Sequence, residues 1–147
     1  SWVDEATPPQ ATSPTALCLL AGETAAYHTG IPTTVVRFGG IYGPGRLSLA
    51  EDIQAGKIHY STEPVYTNRI HQADAAGLLR YLMTYSSVDT LYLGVDCEPT
   101  LKNTVIDWLA TYLNVSTHGL TSAPIALSER QMRGNKRCSN HRLQQTG

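Results

Sequence analysis

The chain has 147 residues, 41% hydrophobic and 16% charged, a globular balance within the size of one domain that excludes a disordered polymer. A formal net charge of -1 with scattered Lys and Arg excludes a nucleic-acid-binding stripe. No apolar run approaches the roughly 20 residues that span a bilayer, so no membrane partner is expected. The start Ser1-Trp2-Val3-Asp4-Glu5 is not a positively charged leader, and a soluble, cytoplasmic protein is expected. Cys18, Cys97 and Cys138 are widely separated, which predicts reduced thiols and no metal-ligand pair.

Ser13 before Pro14 marks a helix start, and Leu17, Leu20, Ala21 and Thr24 keep helical spacing until Gly30 and Pro32, which predicts a helix over 14–29. Residues 33–38 form a β-branched run without alternation, the pattern of a buried central strand in a parallel sheet. The stretch 39–45 reads as a glycine-rich turn, after which Ser48 and Glu51 have capping-box spacing for a short helix closed by Gly56. Residues 57–69 are polar and without period. Ala75, Leu78, Leu79 and Leu82 then mark the buried face of a helix near 72–85, and Leu91, Leu93 and Val95 alternate as a strand. Val105, Trp108, Leu109 and Tyr112 carry another helix, with both aromatic rings expected in the core. Residues 116–124 read as a loop, and the tail from Gly134 holds one short helical possibility. Helices alternating with short apolar strands define an α/β class with a parallel or mostly parallel sheet.

Several stretches carry a family resemblance. Val36-Arg37-Phe38-Gly39-Gly40-Ile41-Tyr42-Gly43-Pro44-Gly45-Arg46 resembles the motif at which extended short-chain dehydrogenases leave the Rossmann sheet for their substrate region. Asn68-Arg69-Ile70-His71-Gln72-Ala73-Asp74-Ala75-Ala76 is similar to that group's arginine and aspartate motif. Leu91-Tyr92-Leu93-Gly94-Val95-Asp96 with Glu98-Pro99 is similar to its following strand and turn. Trp2-Val3-Asp4-Glu5, Asp107-Trp108-Leu109-Ala110 and Asn135-Lys136-Arg137-Cys138-Ser139-Asn140 resemble a bacterial, YeeZ-like subgroup of atypical reductases. In this order the chain is identified as a member of the NAD-dependent epimerase/dehydratase family of extended or atypical short-chain dehydrogenases/reductases.

The resemblance implies the C-terminal part of a Rossmann-like NAD(P)-binding fold. Residues 1–46 would be the last part of the sheet and 47–147 a small substrate-side region, with the N-terminal half and its GxxGxxG turn absent. The glycines from Gly39 to Gly45 lack the spacing of that turn and include Pro44, so these residues alone are expected to bind a dinucleotide weakly or not at all. NAD or NADP is the implied cofactor of the full-length protein, and a small alcohol, carbonyl or sugar nucleotide its implied substrate. The oligomeric state is not legible.

Family members use a Tyr as acid/base and a Lys four residues later that lowers its pKa. Setting Glu23 against the glutamate of that helix puts Thr15 and Leu19 at these positions, and neither can do that work. Tyr27 lies too late on the helix to substitute, so no catalytic residue is assigned. Two functions stand: an NAD(P)-dependent epimerase/dehydratase-like oxidoreductase, or a noncatalytic NAD(P)-binding sensor or scaffold.

By the same resemblance Gly40, Ile41 and Tyr42 border the cofactor, at the carboxyl end of a strand where open α/β sheets bind ligands. Arg69 is the substrate candidate, since its planar fork suits phosphate or carboxylate. His71 is a second candidate on the substrate side, as an acid or base or as a helix cap, with Asp74 paired to it or to Arg69. Arg37 is either a structural ion pair or part of the site. Asn135, Lys136 and Arg137 read as solvated surface.

Overall fold

The structure is a computed structural model that describes residues 1–116 and 135–146. Most of the loop expected at 116–124 therefore lies outside the described residues. Strand β1 (Trp2–Val3) leads to helix α1 (Pro14–Tyr27), which starts where Ser13 accepts a hydrogen bond from the Ala16 N–H at 3.2 Å. No α1 residue is fully buried, and its inward stripe is Ala16, Leu20, Glu23 and Ala26. Leu17, Ala21 and Thr24 face outward, because the spacing of small and apolar residues around this helix fits more than one stripe.

Strand β2 (Val35–Phe38) pairs in parallel with β6 (Leu91–Gly94), in the register Val35 to Leu91 through Phe38 to Gly94. The parallel expectation holds, but β2 is half-buried and has one strand neighbour among the described residues, not two. Strand β6 is the better buried, with Tyr92 fully enclosed. Its other edge is closed by side chains: Arg142 Nη1 donates to the Leu91 carbonyl at 3.1 Å, Leu93 N–H donates to Glu5 at 2.9 Å, and Asn140 donates to the Val95 carbonyl at 3.0 Å. These bonds satisfy backbone groups that an open edge would leave unpaired.

The expected turn at 39–45 contains a three-residue strand, β3 (Gly40–Tyr42), which pairs in parallel with β5 (Arg69–His71). Strand β4 (Tyr66–Thr67) pairs antiparallel with β7 (Thr100–Leu101), and β1 pairs in parallel with β8 (Arg137–Cys138). Segments this short carry no readable alternation, so their pairing is set by tertiary contacts.

Helix α2 (Ser48–Gln54) starts one residue earlier than the expected capping box requires: Leu47, not Ser48, is the N-cap and no side chain caps the end. Gly56, at φ +70, follows α2 in the left-handed conformation that closes helices, as expected. Helix α3 (Gln72–Thr84) buries Ala75 and Leu82 but leaves Leu79 exposed. Helix α4 (Lys102–Tyr112) turns Ile106 and Ala110 onto α2, forming a core with Ile53 and Ile58. Trp108 is 63% and Tyr112 72% exposed, which corrects their expected place in the core. The adjacent stripe already fills that space, and the two rings stack on one another outside it, 5.4 Å apart at 9°. The short helix α5 (His141–Thr146) packs near β6, where Thr146 donates to the Tyr92 hydroxyl at 3.3 Å.

Arg37 makes the structural ion pair: Nε and Nη2 reach the two Glu23 oxygens at 2.9 and 2.6 Å, tying β2 to α1. Of residues 135–137 Lys136 is exposed, as expected of solvated surface, but Asn135 and Arg137 are half-buried. Asn135 accepts from the Tyr66 N–H at 2.9 Å, Lys136 accepts through its carbonyl from Asn68 at 2.9 Å, and the Arg137 guanidinium lies between Trp2 and Tyr66. All three cysteines are free thiols.

Candidate functional site

Three chain segments converge just beyond the carboxyl ends of β2 and β6. Gly39 N–H donates to the Gly94 carbonyl at 3.1 Å, Gly40 N–H to Asn68 at 2.8 Å, and Asp96 N–H to the Arg69 carbonyl at 2.7 Å. The β3–β5 register sets Gly40 opposite Arg69 and Tyr42 opposite His71. A polar strand pair is thus seated at the end of an apolar parallel pair, which is where open α/β sheets form ligand crevices.

A cleft of about 500 Å³ opens there, within the size range of small-molecule sites. Gly40, Ile41, Tyr42 and Arg69 all line it, so four of the five expected site residues are brought together. His71 is not in its lining. Its Nδ1 accepts from the Ala73 N–H at 3.3 Å, capping α3, and its ring meets that of Tyr42 edge-on at 5.3 Å. Asp74 bonds neither Arg69 nor His71 among the described residues. It is exposed in the first turn of α3, where a carboxylate complements the helix dipole.

Arg69 is the polar centre of the cleft. Its Nε is buried and has no hydrogen-bond partner among the described residues. Burial pulls its pKa below the usual guanidinium range, and the charges of Asp96 and Tyr42 only partly offset this. Burial also pushes the Asp96 carboxyl upward, with the Glu98 charge adding to it and the Glu98 N–H and the Arg69 charge opposing. Each charge therefore loses more to desolvation than it recovers from the other. A desolvated guanidinium with an open donor is suited to an oxyanion. Arg46, Asp96, Glu98 and Trp108 also line the cleft, and sequence reasoning gave none of them a site role. For Asp96 and Glu98 a signal existed, since they follow the carboxyl end of a predicted strand.

A second cleft, about 630 Å³, runs beside β2 and is lined by Leu19, Leu20, Val36 and Phe38. Leu19, which the resemblance aligned with the family lysine, is 67% exposed, and Thr15 is exposed. The helix side of this wall, at Leu19 and Leu20, is apolar; among the described residues the cleft has no phenol, and its charged lining includes Glu23, Arg37 and Lys136. No glycine turn of dinucleotide-binding spacing occurs in the sequence, so these residues fit at most one side of a nicotinamide cofactor and do not fit its pyrophosphate. Tyr27 donates its hydroxyl to the Thr90 carbonyl at 2.8 Å, a structural role.

An α/β chain with a cleft at the carboxyl ends of a parallel strand pair is of the Rossmann-like, NAD(P)-binding fold class. No protein-family model matches the sequence. No curated protein matches it. Solved structures do. A candidate NAD-dependent epimerase/dehydratase from Methylobacillus flagellatus is 30% identical, with a TM-score of 0.81, over 99% of this chain and 51% of that one. A functionally unknown conserved protein from Silicibacter pomeroyi is 28% identical, with a TM-score of 0.78, over 98% and 53%. The human epimerase family protein SDR39U1, solved with NADPH, is 19% identical, with a TM-score of 0.71, over 100% and 54%. The structures it matches include NAD-dependent epimerase/dehydratase and atypical short-chain dehydrogenase/reductase proteins, and the chain spans about half their length. No helix of the described residues is long and apolar enough to cross a membrane.

Proposed function

We propose that this chain forms the substrate side of an NAD(P)-dependent epimerase/dehydratase-like oxidoreductase acting on a small alcohol, carbonyl or sugar nucleotide. The observation that carries the reading is the buried, unpartnered Nε of Arg69 in a cleft shared with Gly40, Ile41 and Tyr42. Arg69 holds an anionic part of the substrate, and the Gly40–Tyr42 strand borders the cofactor. A bound nicotinamide supplies hydride chemistry. The residues described here bind and orient, while residues beyond this stretch hold the dinucleotide phosphates.

Turnover and NADPH affinity of the gene product carrying these residues test the reading, across a panel of alcohols, carbonyls and sugar nucleotides. Arg69→Gln is expected to raise KM for anionic substrates about 10- to 100-fold, the loss of a charge-assisted hydrogen bond, with cofactor affinity unchanged. Absence of cofactor binding would overturn it.

A second reading, a noncatalytic NAD(P)-binding sensor or scaffold, is favoured by Thr15 and Leu19 standing where the resemblance puts the catalytic pair. Cofactor binding with no turnover on any substrate establishes it. It fails if Arg69→Ala abolishes a measurable rate while cofactor affinity stays intact.

A further inference from the structure

The exposed face of α4 carries a feature that folding does not require. Ile106, Leu109 and Ala110 complete the contact with α2, yet Trp108 and Tyr112 occupy the neighbouring stripe and are largely exposed. At i and i+4 they stack nearly parallel, 5.4 Å apart, which limits the rotamers open to the indole. Trp108 also lines the cleft that holds Arg69. The remaining wall is mixed: Ile41, Leu47 and Val105 are apolar, while the charges of Arg69 and Asp96 gather at the strand ends. One cleft thus presents a flat aromatic surface and a guanidinium whose buried Nε has no hydrogen-bond partner among the described residues.

We propose that Trp108, braced by Tyr112, is the ring-binding wall of this cleft, so that the site selects a ligand whose flat ring is joined to the anionic group held by Arg69. This rests on the reading of Arg69 as an anion site. Trp108 acts on specificity: it favours ring-bearing ligands over acyclic ones with the same anionic group. Stacking of one aromatic ring is worth up to about a tenfold gain in affinity.

Phenyl phosphate and methyl phosphate, which differ only in the ring, are the probes. Ligand-observed NMR with this chain is expected to give about tenfold tighter binding of phenyl phosphate. Trp108→Ala, outside the core, should bring the two affinities together and leave that of methyl phosphate unchanged, whereas Arg69→Gln should weaken both. In a Trp2→Phe background Trp108 is the sole indole, and its emission should respond to phenyl phosphate but not to methyl phosphate. Equal affinities in the parent, or a preference that survives Trp108→Ala, would overturn the ring wall. If Arg69→Gln still weakened both esters, the anion site would stand without it. Failure of either ester to bind would overturn both. So would a dimer of the parent that Trp108→Ala dissolves overturn the ring wall, because the aromatic pair would then be a contact between copies.

Discussion

Glu23→Ala removes the carboxylate that Arg37 grips with two bonds of 2.9 and 2.6 Å, leaving a guanidinium between α1 and β2 without its partner. Side-chain exposure is 28% for Arg37 and 18% for Glu23, so the pair is neither a surface contact nor a fully enclosed one. Exposed pairs are worth about 0.2–1 kcal/mol, and breaking a buried one costs about 3–5 kcal/mol. A loss of about 2 kcal/mol is expected, which for a chain of this size lowers Tm by roughly 4–8 °C. Urea unfolding followed by circular dichroism gives the value directly, and a cycle with Arg37→Met should return a coupling of about 1–2 kcal/mol. The pH dependence has a definite sign. The Arg37 hydrogen bonds, and secondarily its charge, hold Glu23 below the usual carboxylate range against the opposing effect of burial. This stability is therefore complete above the unfolded glutamate pKa of about 4.3 and is lost as pH falls from there through the depressed folded value. Glu23→Gln should flatten that part of the profile. A coupling near zero, with parent and Glu23→Gln tracking each other in acid, would refute the reasoning and leave apolar contacts as the whole attachment of α1.

Other perturbations test the site's scaffold. Gly39→Ala would bring a Cβ within 2.6 Å of the Asn68 carbonyl oxygen and 2.8 Å of Val95 Cγ1, where β2 hands over to β3. Since one obstacle is backbone, a loss of about 1–3 kcal/mol is expected, and unchanged denaturant midpoints would show that the strands separate freely. Glu5→Ala takes the acceptor from Leu93 N–H and the carboxylate from beside Arg142 Nε, 3.8 Å away, and should cost about 1–3 kcal/mol. Faster amide exchange at Leu93 is the companion signature. Burial raises the Cys138 thiol pKa, with the nearby Lys136 charge opposing, whereas Cys18 and Cys97 are exposed. Iodoacetamide mapped by mass spectrometry should label Cys138 last, and labelling as fast as at Cys18 would contradict its burial.

Much of the frame was legible because it is local. Ser13 and Pro14 start α1 by cap chemistry, and the β-branched run at 33–38 contains β2 by backbone preference. The likeness of the 36–46 and 68–76 motifs to a known family likewise anticipated which residues meet: Gly40, Ile41, Tyr42 and Arg69 line one cleft. Tertiary structure alone decided the rest. Strands of two or three residues such as β4, β5 and β8 exist only through their partners, so neither the polar stretch 57–69 nor the tail from Gly134 gave a sign of them. Periodicity offered two neighbouring stripes on α4, and the fit against Ile53 and Ile58 chose Ile106 and Ala110, sending Trp108 and Tyr112 outward. Whether Arg69 is paired is also beyond local pattern, because it depends on residues far away in sequence. A side chain's type and spacing are written in the sequence, but its partners and its loss of water are set only when distant segments pack around it.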